Sequence, residues 1–286
     1  LASSQLLMKI FSERDKPFML MAPLPNEKME SNREILESYR RGEISLEEAL
    51  KQIRVRDYRT VGEVAKLDIC RSNRIGIPEA ILAEGKDKSD LLAISLAHLE
   101  ETGSVIITRV SSEQLVVLRS AKLPPKSVFE HNPRARTVVI RSADRPAQAG
   151  RVAILAAGTA DIPVAEEARV VAEEMGCQVL REYDVGVAGI HRLFPCLERM
   201  ADADAFVVAA GREGTLPAVV AGLVNAPVIG LPVSTGYGIG GGGKAALYSM
   251  LQSCSVLTVV NVDAGFVAGA YAAKIARQKA HKEKQS

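Results

Sequence analysis

The sequence predicts an α/β protein with two folded parts. The C-terminal part is a doubly wound sheet of five parallel strands, flavodoxin- or Rossmann-like, and the part before it is a smaller α/β domain with a helical hairpin. Three observations lead there. From Arg151 onward, apolar strand-length runs alternate with helix-length runs in a repeated βα order. Most of the strand runs are apolar nearly throughout, as in strands covered on both faces, and that is the pattern of a parallel sheet. The earlier half instead mixes β-branched runs with a single long helical run.

Residues 1–28 read as an irregular extension, since 17–28 holds three prolines and no period. The chain turns helical from about Glu30. Two helix-length runs are broken at Gly42, and Ser45 followed by Glu48 has capping-box spacing for the second. Between 61 and 143, AILA (80–83), SVIITRV (104–110), LVVLR (115–119) and RTVVIR (136–141) read as strands, with a helix from Lys88 to Thr102. SADRPAQAG (142–150) has linker composition. The expected organisation is an extension over 1–28, a small α/β domain over 29–145, a catalytic domain over 146–280 and a basic tail over 281–286.

The five later strands are RVAILAAG, CQVLREYDV, AFVVAAG, PVIGLPV (227–233) and VLTVVNV (256–262), joined by helices and closed by an amphipathic helix from Phe266 to Lys279. Ligands of such sheets gather at the carboxyl ends of the strands. Polar and glycine residues crowd those ends: Thr159 and Asp161, then Gly186 to Arg192, then Gly211, Arg212, Glu213 and Thr215, then Ser234 to Gly243, then Asn261 and Asp263. The glycine cluster from Gly236 to Gly243 runs straight into a helical stretch at Lys244. It reads either as an anion-binding turn or as a flexible surface loop. Arg71 and Arg74 read either as a clamp for phosphate or carboxylate or as part of a solvated charged face.

The composition narrows the function classes. The 286 residues carry a formal charge of +2, 4 % aromatics and no tryptophan, which disfavours nucleic acid as a partner. No apolar run reaches the roughly 18 residues of a membrane span. The four cysteines (70, 177, 196 and 254) have no CxxC spacing, so disulfides and zinc are not expected and a cytoplasmic protein is.

The motifs GTAD (158–161), DVGVAGIHRL (184–193), EGTLPAVVAGLV (213–224), PVSTGYG (232–238), MLQSC (250–254) and VVNVDAGF (259–266) resemble the LarB family, the pyridinium-3,5-biscarboxylic acid mononucleotide synthases of nickel-pincer-nucleotide biosynthesis. LDICRSNRIGIPEAILAEGK (67–86) fits the same resemblance, which covers roughly residues 30–277. The C-terminal part resembles the aminoimidazole ribonucleotide (AIR) carboxylase/mutase, PurE. That mutase's Ser-Ala-His-Arg stands here as Gly189-Ile190-His191-Arg192, and its Gln-Met-Pro as Gln252-Ser253-Cys254. The new thiol and the carboxylate of Glu213 favour the LarB side.

The LarB resemblance implies carboxylation of the pyridinium ring of nicotinic acid adenine dinucleotide by CO2 or bicarbonate as cosubstrate, with release of AMP and no covalent cofactor. An electron-poor ring cannot attack CO2 until a nucleophile has added to it. A thiolate both adds and leaves well, which assigns Cys254 as nucleophile. Glu213, Asp161 and His191 are the candidate bases. Arg71, Arg74 and Arg192 are expected to hold phosphates and the ring carboxylate, and Thr159, Gly189, Gly211, Ser234, Gly236, Tyr237, Gly238 and Asn261 to line the substrate. Asp161 and Asp263 are read as binding ribose hydroxyls or a magnesium ion on the pyrophosphate, or as capping a turn. The resemblance also implies a homo-oligomer, an octamer by analogy with PurE. Two other readings stand beside this one: an AIR carboxylase/mutase, and a nucleotide-sensing regulator without turnover.

Overall fold

The computed structural model describes residues 32–56, 58–142 and 145–283. The expected extension over 1–28 and the last residues of the basic tail lie outside them. The chain divides into two compact units, one up to Arg56 and one from Asp57 onward. Within the first, α1 (Asn32–Arg40) and α2 (Leu46–Arg56) form the expected helical pair. The Ser45 hydroxyl accepts from the Glu48 amide at 3.1 Å and so caps α2.

The second unit contains three sheets. A short antiparallel hairpin, β1 (Arg59–Val61) with β2 (Ala65–Leu67), leads into α3 (Arg71–Ile75). A mixed four-stranded sheet follows, with β3 (Ala80–Leu82), β4 (Ser104–Thr108), β5 (Val128–Asn132) and β6 (Thr137–Arg141) in the order β3-β4-β6-β5. Strands β3 and β4 are parallel and joined by α4 (Lys88–Thr102); the other pairs are antiparallel. Leu91, Ile94 and Leu99 of α4 pack with Ile107, Val138 and Ile140 on one face of this sheet.

One sequence expectation fails in this region. LVVLR is not a strand but the C-terminal part of α5 (Ser112–Arg119). Its β-branched pair looks strand-like, yet the burial is helical, with Gln114 and Leu118 buried and Val116 exposed. A capping box starts the helix. The Gln114 amide donates to Ser111 Oγ at 3.2 Å, and the Ser111 amide to Gln114 Oε1 at 3.0 Å. The hairpin β1–β2 and strand β5, whose two apolar residues are followed by three polar ones, carried too few apolar residues to stand out in the sequence.

The five-stranded sheet is wholly parallel, as expected. It comprises β7 (Arg151–Ala156), β8 (Gln178–Tyr183), β9 (Ala205–Ala210), β10 (Val228–Pro232) and β11 (Thr258–Val259), in the order β11-β10-β9-β7-β8. Numbered within the sheet this is 2-1-3-4-5, the flavodoxin order, whose switch point lies between β7 and β9. VLTVVNV is shorter than expected: only Thr258 and Val259 pair with β10.

Helices cover both faces. On one side α6 (Ile162–Glu174) and α10 (Gly265–Glu283) meet through Ala165, Ala168, Ala172, Ala268, Ala272 and Ala276. The approach is so close that a Cβ on Gly269 would lie 2.3 Å from the Ala168 carbonyl oxygen, so only glycine fits there. The other side is covered by α7 (Leu193–Arg199), α8 (Leu216–Ala221) and α9 (Lys244–Leu251), packed on Leu155, Phe206 and Val208. The mixed sheet joins this body through Ile106 and Val139, which pack on Val170 of α6. Arg141 of β6 also pairs with Glu174 of α6. No described helix is long and apolar enough to cross a membrane.

Candidate active site at the carboxyl rim of the parallel sheet

Asp161 organises the rim. It sits in the turn that carries β7 into α6 and is 5 % exposed. Its Oδ2 accepts from the Gly158 amide at 2.9 Å. Its Oδ1 accepts from the Gly211 amide at 3.1 Å, after β9, and from Thr235 Oγ1 at 2.8 Å, after β10. One carboxylate thus ties three strand ends across the switch point. Burial pushes its pKa up, against the pull of these three donors. A Cβ on Gly211 would lie 2.2 Å from Thr235 Oγ1 and 3.0 Å from Asp161 Oδ1, so the loop closes only on glycine.

Asp263 performs the same task after β11. Its Oδ1 accepts from the Ser234 amide at 2.9 Å, and its carbonyl oxygen accepts from Arg109 Nη2 at 2.9 Å. Arg109 follows β4 and also reaches Glu84 Oε2 at 3.0 Å, so the mixed sheet touches the rim there. The Asn261 side chain accepts from the Val262 amide at 2.8 Å, which makes it a turn-forming group in this chain.

The remaining rim residues are open to solvent. Thr159, His191, Arg192, Glu213, Ser234, Tyr237 and Gly238 are exposed, and Gly189 and Gly236 partly so. Arg192 Nη1 donates to Asp184 Oδ2 at 2.5 Å and its Nε to the Gly189 carbonyl at 3.4 Å, which fixes the guanidinium beside the VAGIHR turn. Arg212 Nη1 donates to the Tyr237 hydroxyl at 2.6 Å. This holds the serine–threonine–glycine loop over the turn after β9.

Magnesium does not suit the two carboxylates. Both Asp161 oxygens are occupied by protein donors, one Asp263 oxygen is taken by the Ser234 amide, and no group of three His, Cys, Asp or Glu among the described residues could hold a metal.

Three predicted residues lie away from this rim within the chain. Arg71 and Arg74 are on α3, whose Ser72 and Ile75 face Glu174 and Met175 at the far end of α6, below the amino ends of the strands. Arg74 Nη1 donates to Asp68 Oδ1 at 2.9 Å, and this partner holds the Asp68 carboxyl below its usual range. Arg71 Nε is buried without a hydrogen-bond partner. Cys254 is exposed and follows the C-terminus of α9, four residues before Thr258. Thr258 pairs with Ile229 near the start of β10. Cys254 therefore sits at the amino edge, one eight-residue helix (about 12 Å) from the glycine turn.

The sequence reading missed Arg109 and Glu167. Glu167 of α6 is 6 % exposed and approaches the first amides of α10. Burial pushes its pKa up to about 7, against the pull of Arg109. A signal existed: Val164, Glu167 or Ala168, and Val171 fall on one helical stripe, so an inward carboxylate was legible. In the unfolded chain Glu167 ionises near 4.5, and in the folded chain near 7. Between those values the folded state binds the extra proton, so this group's contribution is full below 4.5 and is lost as pH rises to 7. The shift corresponds to about 3 kcal/mol. Glu167→Gln is expected to remove that decline, measured as urea-unfolding free energy from pH 4.5 to 8. Parallel curves for the two proteins would refute it.

A flavodoxin-order sheet with hydrogen-bonded loops at its carboxyl rim places the chain among the doubly wound α/β proteins. The comparisons narrow it. A family described as LarB/PurE-like N-terminal domain matches residues 58–142, and one described as AIR carboxylase matches 151–286. An uncharacterized protein of Methanocaldococcus jannaschii is 42 % identical over 250 residues, covering 86 % of this chain and 96 % of the relative. The N5-carboxyaminoimidazole ribonucleotide mutase of the same organism is 35 % identical over 85 residues, 29 % of this chain and 52 % of that protein. The crystal structure of Treponema denticola PurE2-S38D aligns with a TM-score of 0.34 at 19 % identity, covering 50 % of this chain and 94 % of that one. The chain belongs to the LarB family, with a C-terminal domain of the AIR carboxylase type, and so to a carboxylase- and mutase-like group.

Proposed function

We propose that the protein carboxylates the pyridinium ring of nicotinic acid adenine dinucleotide and cleaves its phosphoanhydride. The products are AMP and a doubly carboxylated pyridinium mononucleotide, a precursor suited to a nickel-pincer cofactor. The observation that carries the reading is the solvent-exposed Cys254, within the MLQSC motif that resembles LarB, in a chain of the LarB family. A buried thiol would be inert; an exposed one can meet a ring.

In the reaction, the Cys254 thiolate forms a C–S bond to a ring carbon, and the ring's electron pair moves onto nitrogen. The resulting dihydropyridine is nucleophilic beside the adduct, and that carbon forms a C–C bond to CO2. A base takes the ring proton, and the electron pair expels the thiolate and restores aromaticity. Water then cleaves the phosphoanhydride. Glu213 and His191 are exposed on the rim and free to act as base, whereas Asp161 is committed to positioning the loops. Arg192, fixed against Asp184, is placed to pair with a phosphate.

Cys254 and the rim face the same substrate only if a second copy supplies one of them. We propose a homo-oligomer for this reason. The face covered by α7 to α9 favours it, since Phe194, Leu223, Tyr248, Leu251 and Val256 are all exposed there. Light scattering at micromolar concentration is expected to report an oligomer with an even number of chains; a monomer that still turns over would overturn the shared site. The reaction itself is tested by mass spectrometry of the protein mixed with nicotinic acid adenine dinucleotide and bicarbonate. AMP and a mononucleotide heavier by one carboxylate are expected, and their absence at all enzyme concentrations would refute the function.

A further inference from the structure

A second cavity lies at the opposite end of the parallel sheet from the rim, about 570 Å³ in volume, which is within the range of small-molecule sites. It opens between the mixed sheet and the helices α6 and α10. The length of α6, 13 residues or about 20 Å, separates it from Asp161. Its apolar wall is Ile75, Pro78, Pro146 and Met175. Its polar wall is Arg141, Arg145, Glu174, Lys274 and Arg277, with the buried His98 and the hydroxyl of Ser72.

The charges in this wall do not cancel. Arg141 and Arg145 form a closed square with Glu174 and Glu130: Arg141 reaches both carboxylates, Arg145 Nε donates to Glu174 Oε1 at 2.9 Å and its Nη2 to Glu130 Oε2 at 2.9 Å. That square uses up the cavity's only carboxylate. Lys274 and Arg277 are three residues apart on α10 and so share a face. No carboxylate among the described residues pairs with either. Arg277 Nη1 donates only to the Met175 carbonyl, which is neutral and holds the guanidinium at the cavity. His98 Nδ1 donates to the Ser104 carbonyl at 3.0 Å, and burial lowers the ring's pKa, so the imidazole is neutral and adds no charge. Two half-buried cations without a carboxylate partner among the described residues thus face an apolar floor.

We propose that this cavity binds a small organic anion, with a carboxylate or phosphate on Lys274 and Arg277 and an apolar or aromatic body against Ile75, Pro78 and Met175. It is a site separate from the carboxyl rim and does not depend on the chemistry proposed there.

Phenyl phosphate is the probe, titrated calorimetrically into the full chain, with benzyl alcohol as the uncharged control. Two variants locate the site: Lys274→Glu reverses one of the two cations, and Ser72→Trp fills the mouth while leaving both cations in place. The wild type is expected to bind phenyl phosphate at submillimolar concentration and not to bind benzyl alcohol. Lys274→Glu should weaken binding about tenfold, since an attraction in partly screened surroundings becomes a repulsion. Ser72→Trp should abolish it. Absence of binding up to about 10 mM, or binding that both variants leave unchanged, overturns the site. Binding lost in Ser72→Trp but kept in Lys274→Glu overturns the anionic class of ligand.

Discussion

Cys254→Ala is expected to abolish formation of the carboxylated mononucleotide, by at least about 10³-fold, while the protein stays folded. The two halves of that expectation have separate causes. In the proposed reaction the thiol makes the ring nucleophilic and then leaves, and alanine can do neither. Without the adduct the pyridinium carbon has no electron pair to offer CO2, so no other residue at the rim can substitute. The thiol is also solvent-exposed and outside all of the buried clusters. Its loss leaves no cavity, and the melting temperature should move by no more than about 1 °C. Intact-mass spectrometry supplies the decisive readout. Wild type should gain the mass of the dinucleotide in the absence of bicarbonate, and the alanine variant should not. A variant that keeps a tenth of wild-type turnover would show that Cys254 is not the nucleophile, and the reading closer to the AIR mutase would then take precedence.

The rim and the sheet were legible for different reasons. Strands β7, β9 and β10 declared themselves because each is buried on both faces and so is apolar almost throughout, whereas β8 and β11, at the two edges, followed only from the βα alternation. The rim residues followed from the strands, since the carboxyl end of each run is fixed once its helix is placed. The mixed sheet was harder. In α5 the pair Val116–Val117 looks like strand, and only the capping box and the spacing of Gln114 and Leu118 give the helix away. Strand β5, VFEHN, carries a single large inward apolar residue, Phe129, and no periodicity reading could separate it from a loop.

Distance was the other thing the sequence did not reveal. Cys254 and Asp161 are both at strand–helix junctions, but at opposite edges of one sheet, and this depends on the direction in which α9 runs. Arg71 and Arg74 are far from the rim for a comparable reason: α3 is held at the amino edge by the side chains around Ser72 and Ile75. Hydrogen-bond partners were likewise unreadable. Asp161 looked like a base by position, and only the structure shows that three donors from three loops hold its two oxygens.

Asp161→Ala should therefore lose both stability and activity, which separates it from Cys254→Ala. The substitution strands the amides of Gly158 and Gly211 beside a side chain that is itself 5 % exposed, while the hydroxyl of the exposed Thr235 can turn to water. Each orphaned buried donor costs roughly 1–3 kcal/mol. Relief of the carboxylate's own burial, which raises its pKa, offsets part of this. The net expectation is a loss of about 3–4 kcal/mol. Asp161→Asn is the informative companion. Its amide keeps one oxygen for Gly211 and Thr235 but presents an N–H₂ to the Gly158 amide, so it should cost about half as much. If Asp161 acts through the loops it ties, KM should rise in Asp161→Asn more than kcat falls, because the Ser234–Gly238 loop loosens while Cys254 and the exposed bases are untouched. A variant of undiminished stability whose kcat alone collapses would instead make Asp161 the proton acceptor. Guanidinium unfolding together with steady-state kinetics on the same preparations distinguishes the two.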